Sequence, residues 1–344
     1  MSPLTTSIII SSLATGTIIT ASSFHWLMAW IGLEINTLAI IPLISKKHHP
    51  RSTEAATKYF LTQAAASALI LFSSTMNAQL TGSWDITQLS TTQATIPLSM
   101  ALAMKLGLAP AHFWLPEVLQ GSTMTTALII STWQKLAPMS LLYLTANNMP
   151  MMVLLSLGVT STLIGGWGGI NQTQTRKIMA FSSIAHLGWI MTISLMLTNI
   201  MLLNLIMYII MTTTMFSTLI MSNSKTIKDT TILSTFSPTT TMIMALTLLA
   251  LGGLPPLAGF IPKWLILEEL VNQNLTLIAI ALAMSTLLSL FFYLRLTYTT
   301  TLTLGPNQTT SKHKWRFNTK SSTKLMSTTA PISLLLLPLT PLLT

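Results

Sequence analysis

Apolar segments of about 20 residues, separated by short polar turns, recur along the whole chain. A helix needs about 20 apolar residues to cross a bilayer, so each segment is predicted to be a transmembrane helix. Trp26 and Trp114 lie at ends of these segments, where tryptophan commonly anchors a helix in the membrane interface. Eleven segments can be delimited, at residues 3–21, 25–45, 54–74, 96–114, 125–145, 150–170, 178–197, 199–221, 239–270, 275–296 and 324–343.

The pattern predicts an all-α, polytopic membrane protein with about eleven transmembrane helices in a single membrane domain over residues 1–344. Only 7% of the residues are charged, whereas a soluble domain carries about 25%. The net charge of +10 comes largely from short loops, which argues against nucleic acid as a partner. The chain has no cysteine, which excludes disulfides, thiolate zinc sites and iron–sulfur clusters bound by this chain. We divide the domain into a first half (about 1–145), a second half (about 150–299) and a C-terminal basic loop with a last helix (about 300–344).

The loop cations all lie on one side of the predicted topology, the side of the N-terminus, and the opposite loops hold no Lys or Arg. Loops rich in Lys and Arg stay on the cytoplasmic side, which corresponds to the matrix for a mitochondrial inner-membrane protein. We therefore predict an N-terminus in the matrix and a C-terminus in the intermembrane space. These cations are Lys46, Lys47, Arg51, Lys58, Arg176, Lys177, Lys225, Lys228, Lys312, Lys314, Arg316, Lys320 and Lys324.

Four charged residues lie well inside predicted spans, away from the span ends: Glu34, Lys105, Lys135 and Lys263. A charge at membrane depth costs roughly 2.5–3.5 kcal/mol and usually faces a bundle interior or a hydrated cavity. The first three each lie about ten residues into a span, or about 15 Å deep, near the midplane. Arg295 lies near the basic end of its span and is predicted to snorkel. The four deep charges predict a proton pathway, and a buried ion pair that fixes helix packing is the alternative.

Two of the spans are interrupted. In residues 99–116 a Gly-x-x-Pro sequence follows Lys105, and in residues 239–270 a Gly-Gly-x-Pro-Pro sequence precedes Lys263. Proline breaks a helix, and non-helical backbone at membrane depth is tolerated only where it is buried in protein or lines a hydrated cavity. Two interrupted helices in a transporter-like chain indicate where its ion site lies.

Proton transfer is the chemistry that these residues favour. Burial favours the neutral form of a lysine and a nearby carboxylate favours the charged form, so moving Glu34 away from Lys105 would promote proton release. Lysine exchanges its proton more readily than arginine, so further lysines can pass it on. Histidine titrates near neutral pH, which makes His186 a candidate relay and His112 a weaker one. A packing role is the alternative for both histidines.

Three segments carry a family resemblance: KLGLAPAHFWLPEVLQGS, NQTQTRKIMAFSSIAHLGW and LGGLPPLAGFIPKWLI. They resemble signature segments of the antiporter-like proton-translocating subunits of respiratory complex I, and the resemblance covers nearly the whole chain. It implies an inverted-repeat antiporter-like fold with two broken helices. The family usually has fourteen helices, and the resemblance implies a truncated form in which the first three are missing.

The resemblance also implies roles for particular residues. Glu34 and Lys105 would form the coupling pair of the first half, Lys135 would connect the halves, Lys263 would be the terminal lysine, and His186 would occupy a polar relay position. No redox cofactor is expected in this chain, because NADH, flavin, iron–sulfur clusters and ubiquinone would belong to other subunits. The expected partners are other membrane-arm subunits of complex I and lipids, cardiolipin among them, in the mitochondrial inner membrane.

Three functions are consistent with these features of the sequence. The first is a core membrane subunit of the proton-pumping NADH:ubiquinone oxidoreductase, which translocates protons through the Glu/Lys/His row and is driven by quinone reduction elsewhere. The second is an Mrp-like sodium/proton antiporter subunit. The third is a membrane scaffold that holds neighbouring subunits without pumping.

Overall fold

The computed structural model describes residues 2–46, 48–231, 233, 237–301, 323–335 and 338. Over these residues the chain is helical, with two isolated β-bridges and no strand. The predicted all-α class is therefore confirmed. The chain separates into two compact units, residues 1–161 with 190–198, and residues 162–189 with 199–344.

The first unit is built around α2, α3 and α7. Helix α2 packs on α1 and α3, helix α3 also packs on α4 and α5, and α7 contacts α1, α2 and α4. These contacts bring the end of α4 and the start of α7 toward the middle of α2 and α3. The helices of this unit are α1 (Pro3–Ser22), α2 (Trp26–Ile44), α3 (Pro50–Thr81), α4 (Thr92–Leu106), α5 (Trp114–Gly121), α6 (Met124–Ser131), α7 (Trp133–Thr145) and the first part of α8 (Met151–Gly169).

The second unit is built around α14. This helix packs on α11, α12 and α13, and α12 also contacts α15. The helices here are most of α9 (Thr175–Ile193), then α10 (Thr198–Ser222), α11 (Ile227–Thr231), α12 (Pro238–Gly252), α13 (Phe260–Asn272), α14 (Thr276–Thr301) and α15 (Lys324–Leu335).

Six of the described helices are long and apolar enough to cross a membrane, namely α1, α2, α3, α8, α10 and α14, and α12 is a shorter apolar helix. The protein is therefore a multi-pass membrane protein. Part of the last predicted span lies beyond α15, outside the described residues, and so does most of the basic segment 307–324.

The predicted span 96–114 is not one helix. Helix α4 ends at Leu106 and α5 begins only at Trp114. Gly107 follows α4 with φ 80°, a left-handed conformation that glycine adopts without steric cost. The amide of Leu108 turns back to the carbonyl of Ala103 at 2.9 Å, which closes the helix end as in a Schellman motif.

The segment 239–270 has the same local form. Helix α12 ends at Gly252, Gly253 follows with φ 81°, and α13 begins at Phe260. A further interruption occurs at Thr132, between α6 and α7, inside the predicted span 125–145. The hydroxyl of Thr132 donates a hydrogen bond to the carbonyl of Leu128 at 2.7 Å. The sequence did not predict this break, because no glycine or proline lies at this position.

The interpretation of Trp26 and Trp114 as interfacial anchors was wrong. Trp26 is 1% exposed and Trp114 is 6% exposed, so both rings lie inside the helix bundle. Trp114 packs edge-on against Tyr59 of α3, with 5.7 Å between ring centroids. Its position after the helix break at Gly107 directs it into the unit, which proximity to a span end did not reveal.

Candidate functional site

Lys105 lies in the last turn of α4 and is 4% exposed. This position is a helix end, because Gly107 adopts a left-handed conformation and α4 stops at Leu106. The apolar pattern alone continues to residue 114. Its Nζ atom has no hydrogen-bond partner among the described residues. The negative end of the helix dipole favours a cation at this position, and this field offsets part of the cost of burying the ammonium.

Lys135, the third residue of α7, approaches the same end of α4. It is 1% exposed, and its Nζ donates a hydrogen bond to the carbonyl of Leu106. The Nζ also lies 5.8 Å from the ring centroid of Trp114, within the range of a cation–π interaction. The Nε1 of Trp114 donates to the carbonyl of Met104 at 3.0 Å. The carbonyls that a helix end leaves without partners are thus used by two side chains.

Glu34 lies in the middle of α2 and is partly buried. Its Oε2 accepts a hydrogen bond from Oγ1 of Thr37 at 3.1 Å. In the part of the chain that the structure describes, no ion pair joins Glu34 to Lys105. Thr37 connects the acid to the lysine, because it lines a small cavity that Lys105 also lines.

A small cavity in the first unit connects the helices that carry these residues. It offers about 10 Å³ to the centres of water molecules, which is about the room that one water requires. Glu34 does not line the cavity, but its hydrogen-bond partner Thr37 does. The polar side chains of the lining are Asn36, Thr37, Tyr59, Gln63, Lys105, Gln134 and Lys135.

Lys263 repeats the carbonyl contact in the second unit. It is the fourth residue of α13, and its Nζ donates to the carbonyls of Gly252 at 3.0 Å and Leu251 at 3.3 Å, which end α12. A Cβ atom at Gly253 would lie 2.9 Å from this Nζ. Glycine is therefore required there both by the backbone conformation and by the close approach of the lysine.

His186 is buried in the second unit beside two tyrosines that the sequence analysis did not select. The hydroxyl of Tyr293 lies 3.5 Å from Nε2 of His186, and the ring of Tyr208 lies 5.7 Å from the imidazole. The charge of Lys263 also interacts with His186. A relay on this side therefore has a hydroxyl beside the imidazole.

His112 and Arg295 contact the backbone. Nδ1 of His112, a buried residue, lies 3.2 Å from the carbonyl of Pro110, within the connection between α4 and α5. Arg295 donates from Nη1 to the carbonyl of Ile170 at 2.8 Å, just beyond α8. Neither residue lines the cavity of the first unit.

Sequence reasoning missed the uncharged polar residues around Lys105, among them Asn36, Gln63 and Gln134. A usable signal existed, because amide side chains inside apolar spans need hydrogen-bond partners as charges do. The described residues contain no group of three or more His, Asp or Glu side chains that can hold a metal ion.

Buried lysines held at helix ends within a bundle of apolar helices define the class as a multi-pass, antiporter-like membrane protein. Two family models match the chain, "NADH:quinone oxidoreductase/Mrp antiporter, TM" over residues 23–289 and "NADH dehydrogenase subunit 2 C-terminus" over residues 290–344. Curated relatives named NADH-ubiquinone oxidoreductase chain 2 include that of Varanus nebulosus, 56% identical over 100% of both chains, and that of Xenopus laevis, 56% identical over 99% of both. The chain belongs to the NADH-ubiquinone oxidoreductase chain 2 family.

Solved structures agree with this assignment. A chain of respiratory complex I from Thermus thermophilus matches with a TM-score of 0.81 and 25% identity, over 96% of this chain and 78% of that one. The Mrp complex from Dietzia sp. DQ12-45-1b contains a chain that matches with a TM-score of 0.83 and 16% identity, over 97% and 75%, a likeness of fold alone. The predicted family is confirmed. Two further segments of the sequence, HWLMAWIGLEINTLAI and KYFLTQAAASALILFSS, resemble chain 2 of mitochondrial NADH:ubiquinone oxidoreductase in particular, in agreement with these relatives.

Proposed function

We propose that this chain is a core membrane subunit of a proton-pumping NADH:ubiquinone oxidoreductase and translocates protons through its buried Glu/Lys/His residues. The observation that carries the proposal is the convergence of Lys105 and Lys135 on the end of α4, beside a cavity that Thr37, the hydrogen-bond partner of Glu34, also lines. Charges at this depth are expensive to maintain, and a packing role alone does not require a buried ammonium without a partner.

In the first unit, the distance between Glu34 and Lys105 sets which of them holds a proton. A carboxylate near Lys105 stabilises the ammonium, and moving the carboxylate away lets the lysine release its proton to a neighbour. Lys135, which shares the end of α4, is the neighbour that receives it next. The interaction changes steeply with distance because the surrounding medium has a low dielectric constant.

In the second unit, Lys263 is the terminal proton holder and His186 is the relay that leads to it. The hydroxyl of Tyr293, 3.5 Å from the imidazole, gives His186 a neighbour that both donates and accepts hydrogen bonds. His112 stays outside this route, because its contact is with the backbone carbonyl of Pro110.

The proposal includes the topology. We infer eleven transmembrane spans, with α4/α5 and α12/α13 as two discontinuous helices of an inverted repeat. The N-terminus faces the matrix and the C-terminus the intermembrane space of the mitochondrial inner membrane. The partners are other membrane-arm subunits and lipids such as cardiolipin, and NADH, flavin, iron–sulfur clusters and ubiquinone are bound by other subunits, whose quinone reduction drives the pump.

An Mrp-like antiporter subunit is the second candidate, and its support is the likeness of fold to the Mrp complex. The relatives at 56% identity over the full length favour the oxidoreductase. Purification tests the choice, because the proposal requires that the chain co-purifies with a large NADH-oxidising assembly. Recovery as an active sodium exchanger without such partners would contradict it.

Variants test the pumping role against a scaffold role. In the assembled complex, we expect Lys105→Ala and Glu34→Gln to leave assembly intact and to lower coupled quinone reduction by about tenfold or more, since general acid–base groups contribute at least that much. The measurement is the rate of NADH:quinone reduction together with the proton-to-electron ratio in proteoliposomes. If both quantities are unchanged in both variants, the buried charges are structural and the scaffold role is correct.

A further inference from the structure

Three polar side chains from three helices share the cavity of the first unit, and each carries a buried atom without a hydrogen bond. Asn36 of α2 is 1% exposed, Gln63 of α3 is 3% exposed and Lys105 of α4 is 4% exposed. Both amide atoms of Asn36, Nε2 of Gln63 and Nζ of Lys105 have no partner among the described residues. All three residues line the cavity.

Packing alone does not explain this group of side chains, because it does not stabilise the helix bundle. Each unsatisfied buried donor or acceptor costs free energy relative to an apolar side chain of the same shape. Buried waters typically make two to four hydrogen bonds to polar groups of this kind. The cavity has room for about one water, and its walls supply both donors and an acceptor.

Thr37 extends the group toward the acid. Its side chain lines the cavity, and its hydroxyl lies 3.1 Å from Oε2 of Glu34 and 2.9 Å from the carbonyl oxygen of the same residue. A hydroxyl donates one hydrogen bond and accepts others. Thr37 can therefore accept from the cavity while it donates to the carboxylate.

We propose that Asn36 and Gln63 position one water molecule beside Lys105, and that this water and the hydroxyl of Thr37 form the proton link between Lys105 and Glu34. This inference rests on the proposed function and adds to it the step by which Lys105 and Glu34 exchange a proton. An N–H bond of the Lys105 ammonium breaks and its proton passes to the water, the water gives a proton to Oγ1 of Thr37, and Thr37 gives its own proton to Oε2 of Glu34. One proton has moved, and the ammonium–carboxylate pair has become a neutral amine and a carboxylic acid.

The link accounts for the absence, among the described residues, of an ion pair between Glu34 and Lys105. A direct contact would hold the proton on the lysine, because two opposite charges at bonding distance stabilise the charged state of both groups. A water and a hydroxyl between them keep the two charges apart while they leave a continuous path for the proton.

The experiment uses the assembled complex with Thr37→Val, which keeps the shape of the side chain and removes the hydroxyl. Thr37→Ser restores the hydroxyl, and Thr95→Val is the matched control, because Thr95 is buried on α4, bonds only to its own helix and does not line the cavity. We expect coupled quinone reduction to fall about fivefold in Thr37→Val, the effect of one lost hydrogen bond, and to recover in Thr37→Ser. Gln63→Met, similar in size but apolar, should give a loss of the same order.

A second readout follows the proton directly. The infrared difference spectrum between resting and turning-over complex should contain a carboxylic acid C=O band that Glu34→Gln removes. That band should disappear in Thr37→Val, return in Thr37→Ser and persist in Thr95→Val. If the band persists in Thr37→Val and Gln63→Met while Glu34→Gln still lowers coupling, the water link is wrong and the proposed function stands. If Glu34→Gln and Lys105→Ala both leave coupling unchanged, the proposed function fails, and the link fails with it.

Discussion

The end of α4 in the first unit and the end of α12 in the second have the same local structure, but the lysines around them differ. In both, a left-handed glycine stops an apolar helix, and a lysine from another helix donates to the carbonyls that the stop leaves open. The first unit adds Lys105 on the terminated helix itself, where its Nζ has no hydrogen-bond partner among the described residues and a cavity lies beside it. The second unit has an apolar residue, Leu251, at the corresponding place.

The two breaks are in register in the sequence. Gly107, Pro110 and Pro116 recur in the same spacing as Gly253, Pro256 and Pro262.

The position after the second proline differs between the two units. In the second unit it is Lys263, which turns back onto the helix end, and in the first it is Glu117, which is half exposed and paired with Lys58. The first unit therefore takes its carbonyl-bound lysine from α7, as Lys135. Both units therefore place a lysine ammonium at the end of the broken helix. The helix that supplies this lysine differs between them.

The largest effects are expected from alanine at the two left-handed glycines. Gly107→Ala and Gly253→Ala should each lower the stability of the assembled complex by about 2 kcal/mol or more, because a Cβ is strained in this conformation and meets a side chain at 2.9 Å. Thermal unfolding of the purified complex measures the loss. Gly82→Ala is the matched control, since its φ of 72° brings strain while nothing lies within 4 Å. A loss in the control equal to the other two would mean that the lysine contact at Gly253 does not matter.

Smaller changes in stability are expected when either of the two lysines of the first unit is replaced by methionine. The two changes should have opposite signs. Lys135→Met should lower stability by about 1–3 kcal/mol, because it leaves the carbonyl of Leu106 without its donor. Lys105→Met should raise stability by about 1 kcal/mol, because it removes a buried ammonium that has no protein partner. Thermal unfolding distinguishes the two variants, and a loss of the same size from both would contradict the assignment of different roles.

The smallest effect is expected outside both helix ends, in the first turn of α11. The backbone amides of Thr226 and Lys225 donate to Asp229 at 2.9 Å, and they hold the pKa of that carboxyl below its ordinary value of 3.8. A lowered pKa stabilises the fold above pH 4 and loses this effect as the pH falls through the folded value. Asp229→Asn should therefore cost less than about 1 kcal/mol at pH 7, since the site is partly solvated, and progressively less as the pH falls below 3.8. A pH-independent loss would show that the carboxylate is not the group responsible.

The apolar pattern of the sequence predicted several transmembrane helices correctly, but it did not show where some of the helices end. The apolar pattern identified α1, α2 and α8 as spans because their length and composition alone decide membrane insertion. Hydropathy alone joins the two sides of Gly107 into one span, because it is insensitive to the backbone conformation that ends a helix. The Gly-x-x-Pro sequence predicted an interruption there, and α4 ends at Leu106. The interruption at Thr132 was invisible for a related reason, because threonine is compatible with a continuous helix.

The amino-acid sequence by itself determined that this chain enters the membrane, which charges it carries there, and the family to which it belongs, because these depend on composition, spacing and motif. The tertiary structure alone decided which groups meet: Lys135 with the carbonyl of Leu106, and two buried amides with Lys105 at one cavity. Those pairings join residues from different helices. They depend on where each helix ends and how the helices pack, and hydrophobic periodicity along one segment carries no information about either.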